Sequence, residues 1–252
     1  MKLYRFEHEG AARWGREEGA GQLRLLEGDP LGRVRDAKGA VALCDVRLLA
    51  PFAPSKVVAI GLNYKDHAAE RGKALPAEPL IFLKPPSSVI GPGEAIRRPT
   101  WAGRVDHEAE MGIVIGRAAH DLPSPEAARA HVLGALCVND VTARDLQDKD
   151  VQFTRAKGFD TFCPLGPCIA TGLDLAGLAV VGRVNGVVRQ QSRTDQLIFD
   201  AFHLVWFVSR VMTLLPGDII STGTPAGIGP LASGDVVEVE VEGVGVLRNP
   251  VS

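Results

Sequence analysis

The apolar runs of this chain are short, and glycine or proline closes most of them. With 28 glycines and 17 prolines in 252 residues, turns must be frequent, which suits strands and loops better than a helix bundle. Lys2–Glu7, Gln22–Glu27 and Ala40–Leu49 read as short strands. Pro51 and Pro54 then mark a linker, since neither can continue a ladder or a helix. Lys56–Gly61 has the character of a buried strand, and Ile81–Lys84 is a strand fragment stopped by Pro85-Pro86. Glu108–Ile115 and Leu133–Asn139 are further strands. Asn185-Gly186 between Ala179–Val184 and Val187–Gln191 is a strong hairpin signal. Gly217-Asp218 and Gly234-Asp235 turn into Ile219–Thr222 and Val236–Val241, the latter alternating as a half-exposed strand.

Helices are few. Asn63–Arg71 is a polar candidate closed by Gly72. Thr142 caps a second over about Ala143–Lys149. Asp195–Leu214 is apolar around most of its circumference, as a well-buried helix would be. Strands and helices do not alternate regularly, which argues against a parallel α/β sheet. The expected class is a β-rich mixed α+β fold, rolled or sandwiched, with a small domain over 1–53 and a large one over 54–252.

A net charge of -2, a pI near 6.3 and no run of Lys or Arg leave no footprint for nucleic acid. Cys44, Cys137, Cys163 and Cys168 read as reduced, small interior hydrophobes. The start MKLYRFEHEG has no apolar h-region, so the cytoplasm is the expected address. Leu197–Leu215 is broken by Asp200, His203 and Arg210, which excludes a membrane span there.

Five segments carry chemistry. On a strand, Glu108 and Glu110 point to one side, and two carboxylates that close repel unless a cation lies between them. Hard oxygen donors select Mg²⁺ or Mn²⁺, with Ca²⁺ also compatible. The spacing alone is weak: Glu238, Glu240 and Glu242 share it and read as surface. An apolar strand delivers Asp140 to a strand–helix junction, and Arg144 and Gln147 follow three apart on one helix face. Lys157, before a glycine, can offer a point charge to an anion, although alone it reads as an ordinary surface lysine. Thr222-Gly-Thr-Pro-Ala-Gly-Ile-Gly can cradle a carboxylate with amides and hydroxyls, Thr224 among them, but lacks the lysine and spacing of a P-loop. His67 and Glu70, also three apart, can form an acid–base dyad or an incidental surface pair.

Taken together, the chain resembles the fumarylacetoacetate hydrolase family. The matching strings include G-L-N-Y-x-x-H-x-x-E (61–70), F-L-K-P-x-S-S-V-I-G-P (82–92), D-H-E-A-E-M-G (106–112) and N-D-V-T-A-R-D-x-Q (139–147). K-G-F-D-T (157–161) and L-x-P-G-D-I-I-x-T-G-T-P-x-G-I-G (214–229) continue them in the family's order. The resemblance implies the family's mixed β-roll and a homodimer. It implies Glu108, Glu110 and Asp140 as metal ligands, and His67 with Glu70 as the dyad on a short helix that closes over substrate. It makes Arg144, Gln147, Lys157 and Thr224 contacts to substrate oxygens, with Lys157 also catalytic. An earlier Asp ligand of the larger eukaryotic members has no counterpart here, which points to the short, three-carboxylate branch. The implied partner is a small anionic 2-oxo acid, and the implied chemistry a metal-stabilised enolate. Isomerisation of 2-hydroxyhepta-2,4-diene-1,7-dioate or decarboxylation, in aromatic breakdown, leads; C–C hydrolysis of an acylpyruvate is the alternative. A non-catalytic binding or scaffold protein on the same fold is the alternative of another class, disfavoured by the intact H-x-x-E.

Overall fold

The computed structural model describes residues 1–19, 21–70 and 72–252. The N-terminal segment holds strands β1 (Lys2–His8), β2 (Ala11–Glu17), β3 (Gln22–Gly28), β4 (Val34–Ala42) and β5 (Arg47–Leu48). β2 has no apolar period to announce it. Its pairing on both sides holds it, with Tyr4 opposite Gly15 and Gly15 opposite Leu25. Gly15 is needed there, because a Cβ would lie 2.8 Å from the Phe6 ring. The single strand expected over Ala40–Leu49 is instead the end of β4, a 3-10 turn at Leu43–Asp45 and β5.

Next come β6 (Val57–Gly61), helix α1 (Lys65–Glu70), β7 (Leu80–Lys84), β8 (Val89–Ile90), β9 (Val105–His107) and β10 (Ala109–Ile115). Helix α2 (Pro125–Ala128) precedes β11 (Val132–Asn139), β12 (Thr142–Ala143), α3 (Arg144–Lys149), α4 (Thr154–Lys157) and β13 (Cys163–Ala170). The chain ends with β14 (Ala179–Val184), β15 (Val187–Arg193), α5 (Ala201–Val211), β16 (Ile219–Ser221), β17 (Gly229–Pro230), β18 (Val236–Val241) and β19 (Gly245–Pro250).

One large sheet runs β4-β3-β2-β1-β13-β11-β10-β16-β6-β7, antiparallel except between β16 and β6. The N-terminal strands therefore extend the same sheet, through β1 against β13. A second sheet, β15-β14-β18-β19, faces it, and a small one, β12-β9-β17, lies apart. The Asn185-Gly186 hairpin forms as expected, both residues at positive φ as a type I′ turn requires.

β10 and β11 are covered on both faces. Met111, Ile113 and Ile115 join Val180, Val239 and Val241 of the facing sheet and Leu204, Val205 and Val208 of α5. The intervening Val114, with Leu136 and Val138 of β11, packs into another cluster beside Leu165 and Ile219. Each such side chain contributes about 1.5–3 kcal/mol by leaving water. The period of two then carries Glu110 to the Val114 side of β10, directly opposite Val138. The carboxylates thus emerge at the end of a rigid, doubly buried strand pair.

Three helix expectations need correction. α5 begins at its cap Asp200, whose side chain accepts from Phe202 N and His203 N, so it is shorter than Asp195–Leu214. Only one face is buried; Trp206 and Phe207 are half-exposed and Val211 exposed. Thr142 does not cap α3: it lies in β12, and its hydroxyl donates to the Asp140 carbonyl. α1 starts two residues later than Asn63, and Arg71, its expected last residue, lies outside the described residues. Among the described residues no helix is long and apolar enough to cross a membrane. Cys137, Cys163 and Cys168 are buried free thiols, but Cys44 is exposed, against the expectation for all four.

Candidate active site

Glu108 sits in the one-residue gap between β9 and β10, Glu110 in β10, and Asp140 just beyond β11. β10 and β11 pair with Ala109 opposite Asn139, so the two acidic segments arrive side by side. One oxygen from each of the three carboxylates lies within 4.8 Å of the others. All three are buried. They line a cavity of about 170 Å³, whose walls also carry His67, Arg144, Gln147, Lys157 and Thr224. Of the residues singled out in the sequence, only Glu70 stands behind that wall.

Buried lysines hold the cluster. Lys157 Nζ donates to Glu108 Oε2 at 2.8 Å and to Asp140 Oδ2 at 2.5 Å. Lys84, fully buried at the end of β7, donates to Asp140 Oδ1 at 2.6 Å and to the Lys157 carbonyl at 2.5 Å. Arg144 donates from Nη2 to Glu108 at 2.7 Å, from Nε to Asp106 at 3.0 Å and from Nη1 to Gln147 at 2.5 Å. Three of its five N–H groups are spent, leaving two for a ligand, and Lys157 keeps one of three. Glu110 is held differently: Ser221 Oγ at 2.5 Å and Gly223 N at 2.8 Å both donate to Oε2. Gly223 reaches that pose at φ +99, where a Cβ would press on Asn63 at 2.8 Å.

Four buried acids, Asp106, Glu108, Glu110 and Asp140, face three buried bases, Lys84, Arg144 and Lys157, so the charges balance only while one acid keeps its proton. Burial would push the Glu108 carboxyl up, but Lys157 and Arg144 outweigh it and hold it near 2. Burial would likewise push Lys157 down, but Asp140 and Glu108 hold its ammonium well above the usual range. Glu110 lacks a cation of its own. Burial, then repulsion from Asp140 and Glu108, pushes it up to about 8, although the Ser221 bond opposes this. The donor set therefore fits a hard divalent ion: three oxygen ligands, one of them a carboxyl that only a further cation would ionise readily. With such an ion the pocket turns net positive and suits an anionic ligand.

The dyad forms as the spacing predicts. His67 Nδ1 is 2.9 Å from Glu70 Oε2, and the imidazole is buried while the carboxylate is partly exposed. An ionised Glu70 can only accept, so Nδ1 carries a proton, and in the neutral ring Nε2 then holds the lone pair of a base. Glu70 Oε1 also accepts from Gly227 N at 3.0 Å, and Asp66 of the same helix accepts from Ser192. α1 is thereby fastened to the glycine-rich loop and to β15.

Sequence reasoning missed Lys84, Asp106 and Ser221. Lys84 closes an apolar strand, L-I-F-L-K, and a lysine there followed by two prolines is the one available signal. Asp106 looks like surface until Arg144 and Arg104 are seen to donate to it.

Comparison with known proteins decides the family. Residues 56–252 match the model described as "Fumarylacetoacetate (FAA) hydrolase C-terminal", and residues 1–51 match "Rv2993c-like, N-terminal". The chain belongs to the fumarylacetoacetate hydrolase family. A family member described as 2-hydroxyhepta-2,4-diene-1,7-dioate isomerase from Mycobacterium marinum is 44% identical. It superposes with TM-score 0.93, covering 100% of this chain and 98% of that one. The mitochondrial oxaloacetate tautomerase of Xenopus laevis is 42% identical over 220 residues, 82% of this chain and 69% of that protein. A maleylpyruvate hydrolase of Sphingobium, solved with manganese(II) and pyruvate, is 29% identical with TM-score 0.83, over 100% and 98% of the two chains.

Proposed function

We propose that this family member is a divalent-metal-dependent enzyme acting on a small 2-oxo or 2-hydroxydienoic dicarboxylic acid. The reaction it performs is proton transfer along the carbon chain, as in isomerisation of the 2-hydroxyhepta-2,4-diene-1,7-dioate type. The observation that carries this reading is the convergence of Glu108, Glu110 and Asp140 within 4.8 Å, in a cavity that His67 also lines. Mg²⁺ or Mn²⁺ held by these carboxylates would supply Lewis-acid polarisation of the 2-oxo group.

The remaining work falls to side chains. The two free N–H groups of Arg144 and the third proton of Lys157 take the substrate carboxylate and the oxygen on which negative charge develops. His67 Nε2 carries a proton between the 2-hydroxyl oxygen and a carbon of the chain, while Glu70 keeps the ring in that tautomer and stabilises the imidazolium. Phe82, Leu62 and Ile60 line the same cavity and lower its polarity, which strengthens these interactions.

Decarboxylation and acylpyruvate cleavage pass through the same enolate, so acylpyruvate hydrolysis is the second reading, favoured by the maleylpyruvate hydrolase relative. An assay of the heptadiene-dioate, oxaloacetate and acetylpyruvate side by side with Mg²⁺ or Mn²⁺ tests the proposal. Isomerisation of the first, or tautomerisation of the second, is the expected outcome. Turnover of acetylpyruvate alone supports the second reading, and no turnover of any supports a binding role.

A further inference from the structure

Gln190, on β15, is 1% exposed and bonds through both ends of its amide. Oε1 accepts from Ala109 N at 2.9 Å, and Nε2 donates to the Pro225 carbonyl at 2.8 Å. A backbone N–H can only donate and a carbonyl can only accept, so these two anchors fix the amide: turned over, it would set donor against donor and acceptor against acceptor. Two further assignments follow. His107 Nδ1, 3.0 Å from Oε1, must carry the proton in that bond. Nε2 must also be the donor to Thr224 Oγ1 at 2.7 Å.

The Thr224 hydroxyl therefore receives one hydrogen bond from Gln190. Its own single proton goes to the Ala109 carbonyl at 3.0 Å. What it retains is one lone pair, on a residue that lines the cavity. With its proton on the Ala109 carbonyl, this hydroxyl has none to offer a carboxylate. A carboxylate or ketone oxygen brings only lone pairs and would meet another.

We infer that Gln190 is a positioning residue that makes the Thr224 side chain an obligate acceptor, so that this corner of the cavity receives a hydrogen-bearing oxygen of the ligand, a hydroxyl or enol. The site thereby distinguishes the hydroxy form of a 2-substituted acid from its oxo form. This rests on the proposed function and adds to it: an enzyme moving protons between such forms would hold the enol at Thr224 and the keto form less well. The distinction comes from the Ala109 carbonyl, which takes the Thr224 proton, and from Gln190, which touches no ligand and pins the hydroxyl in that pose.

The test uses the full chain loaded with Mg²⁺ and calorimetric Kd values for D,L-lactate and pyruvate, which differ in a hydroxyl against an oxo group at C2. Thr224→Val keeps the shape and removes the acceptor. It weakens lactate about fivefold, as loss of one neutral hydrogen bond does, and changes pyruvate less than twofold; Thr224→Ser restores the lactate value. Gln190→Met removes the bond that pins the Thr224 hydroxyl against Ala109, leaving it free to turn and donate, so the Kd ratio again moves in favour of pyruvate. If Thr224→Val weakens pyruvate as much as lactate, or a folded Gln190→Met leaves the ratio unchanged, the inference is wrong. If the parent chain binds neither acid, this inference and the proposed function fall together; equal losses remove this inference alone.

Discussion

Lys84 and Lys157 grip opposite oxygens of one carboxylate: Lys84 Nζ lies 2.6 Å from Asp140 Oδ1, and Lys157 Nζ 2.5 Å from Oδ2. Lys84 also donates to the Lys157 carbonyl, so it fixes the backbone that presents the second lysine. Its donors are absorbed by protein groups, whereas Lys157 keeps one for a ligand. One lysine is thus a strut and the other faces the cavity.

Removing the strut has a stability cost. Lys84→Met leaves part of a buried carboxylate without its partner, an arrangement that costs about 3–5 kcal/mol when a buried pair is broken. Lys157 remains on Asp140, so the lower end of that range is expected. Urea denaturation of parent and variant reads it. A variant as stable as the parent would show that Lys84 contributes no net stabilisation.

The ion-free protein has a pH dependence that Glu110 sets. Folded, this carboxyl keeps its proton to about pH 8; unfolded, it loses it near the ordinary 4.5. Between those values the folded state binds the extra proton, so stability falls as pH rises through the window. Glu110→Gln cannot ionise and flattens that slope, being more stable than the parent at pH 8. Denaturation in the presence of a chelator at pH 5, 6.5 and 8 measures both slopes, and parallel lines would refute the assignment.

The dyad separates chemistry from ion binding. His67→Asn should lower kcat about 10²–10⁴-fold, the usual worth of a positioned acid–base group. Glu70→Gln should lower it less, since the ring stays hydrogen-bonded but loses its charged partner. Neither residue belongs to the carboxylate cluster, so both variants should bind Mn²⁺ within twofold of the parent. Parent-like turnover by His67→Asn would remove the dyad from the mechanism.

Much of this architecture was legible because it rests on local periodicity. Glu108 and Glu110 were placed on one side by the period of a strand, and Arg144 with Gln147, like His67 with Glu70, by the period of a helix. Residues whose role depends on distant partners were not. Lys84 is buried only because β7 pairs with β6 and brings it to Asp140, 56 residues away. Asp106 answers to Arg144, 38 residues on, and Ser221 to Glu110, 111 residues back. Thr142 misled because a threonine before a helix suits both a cap and a short strand. The ladder with Asp106 decides for the strand. β2 was hidden by its charges, since the sheet on either side stabilises it rather than its own apolar face.

The account stands on three carboxylates holding one divalent ion. Mn²⁺ calorimetry on the parent chain and on the Glu108→Gln, Glu110→Gln, Asp140→Asn triple variant tests this most directly. The parent should take up one ion per chain, and a correctly folded triple variant should bind it at least 100-fold more weakly. If that variant binds Mn²⁺ as the parent does, the ion lies elsewhere and the centre described here is not the metal site.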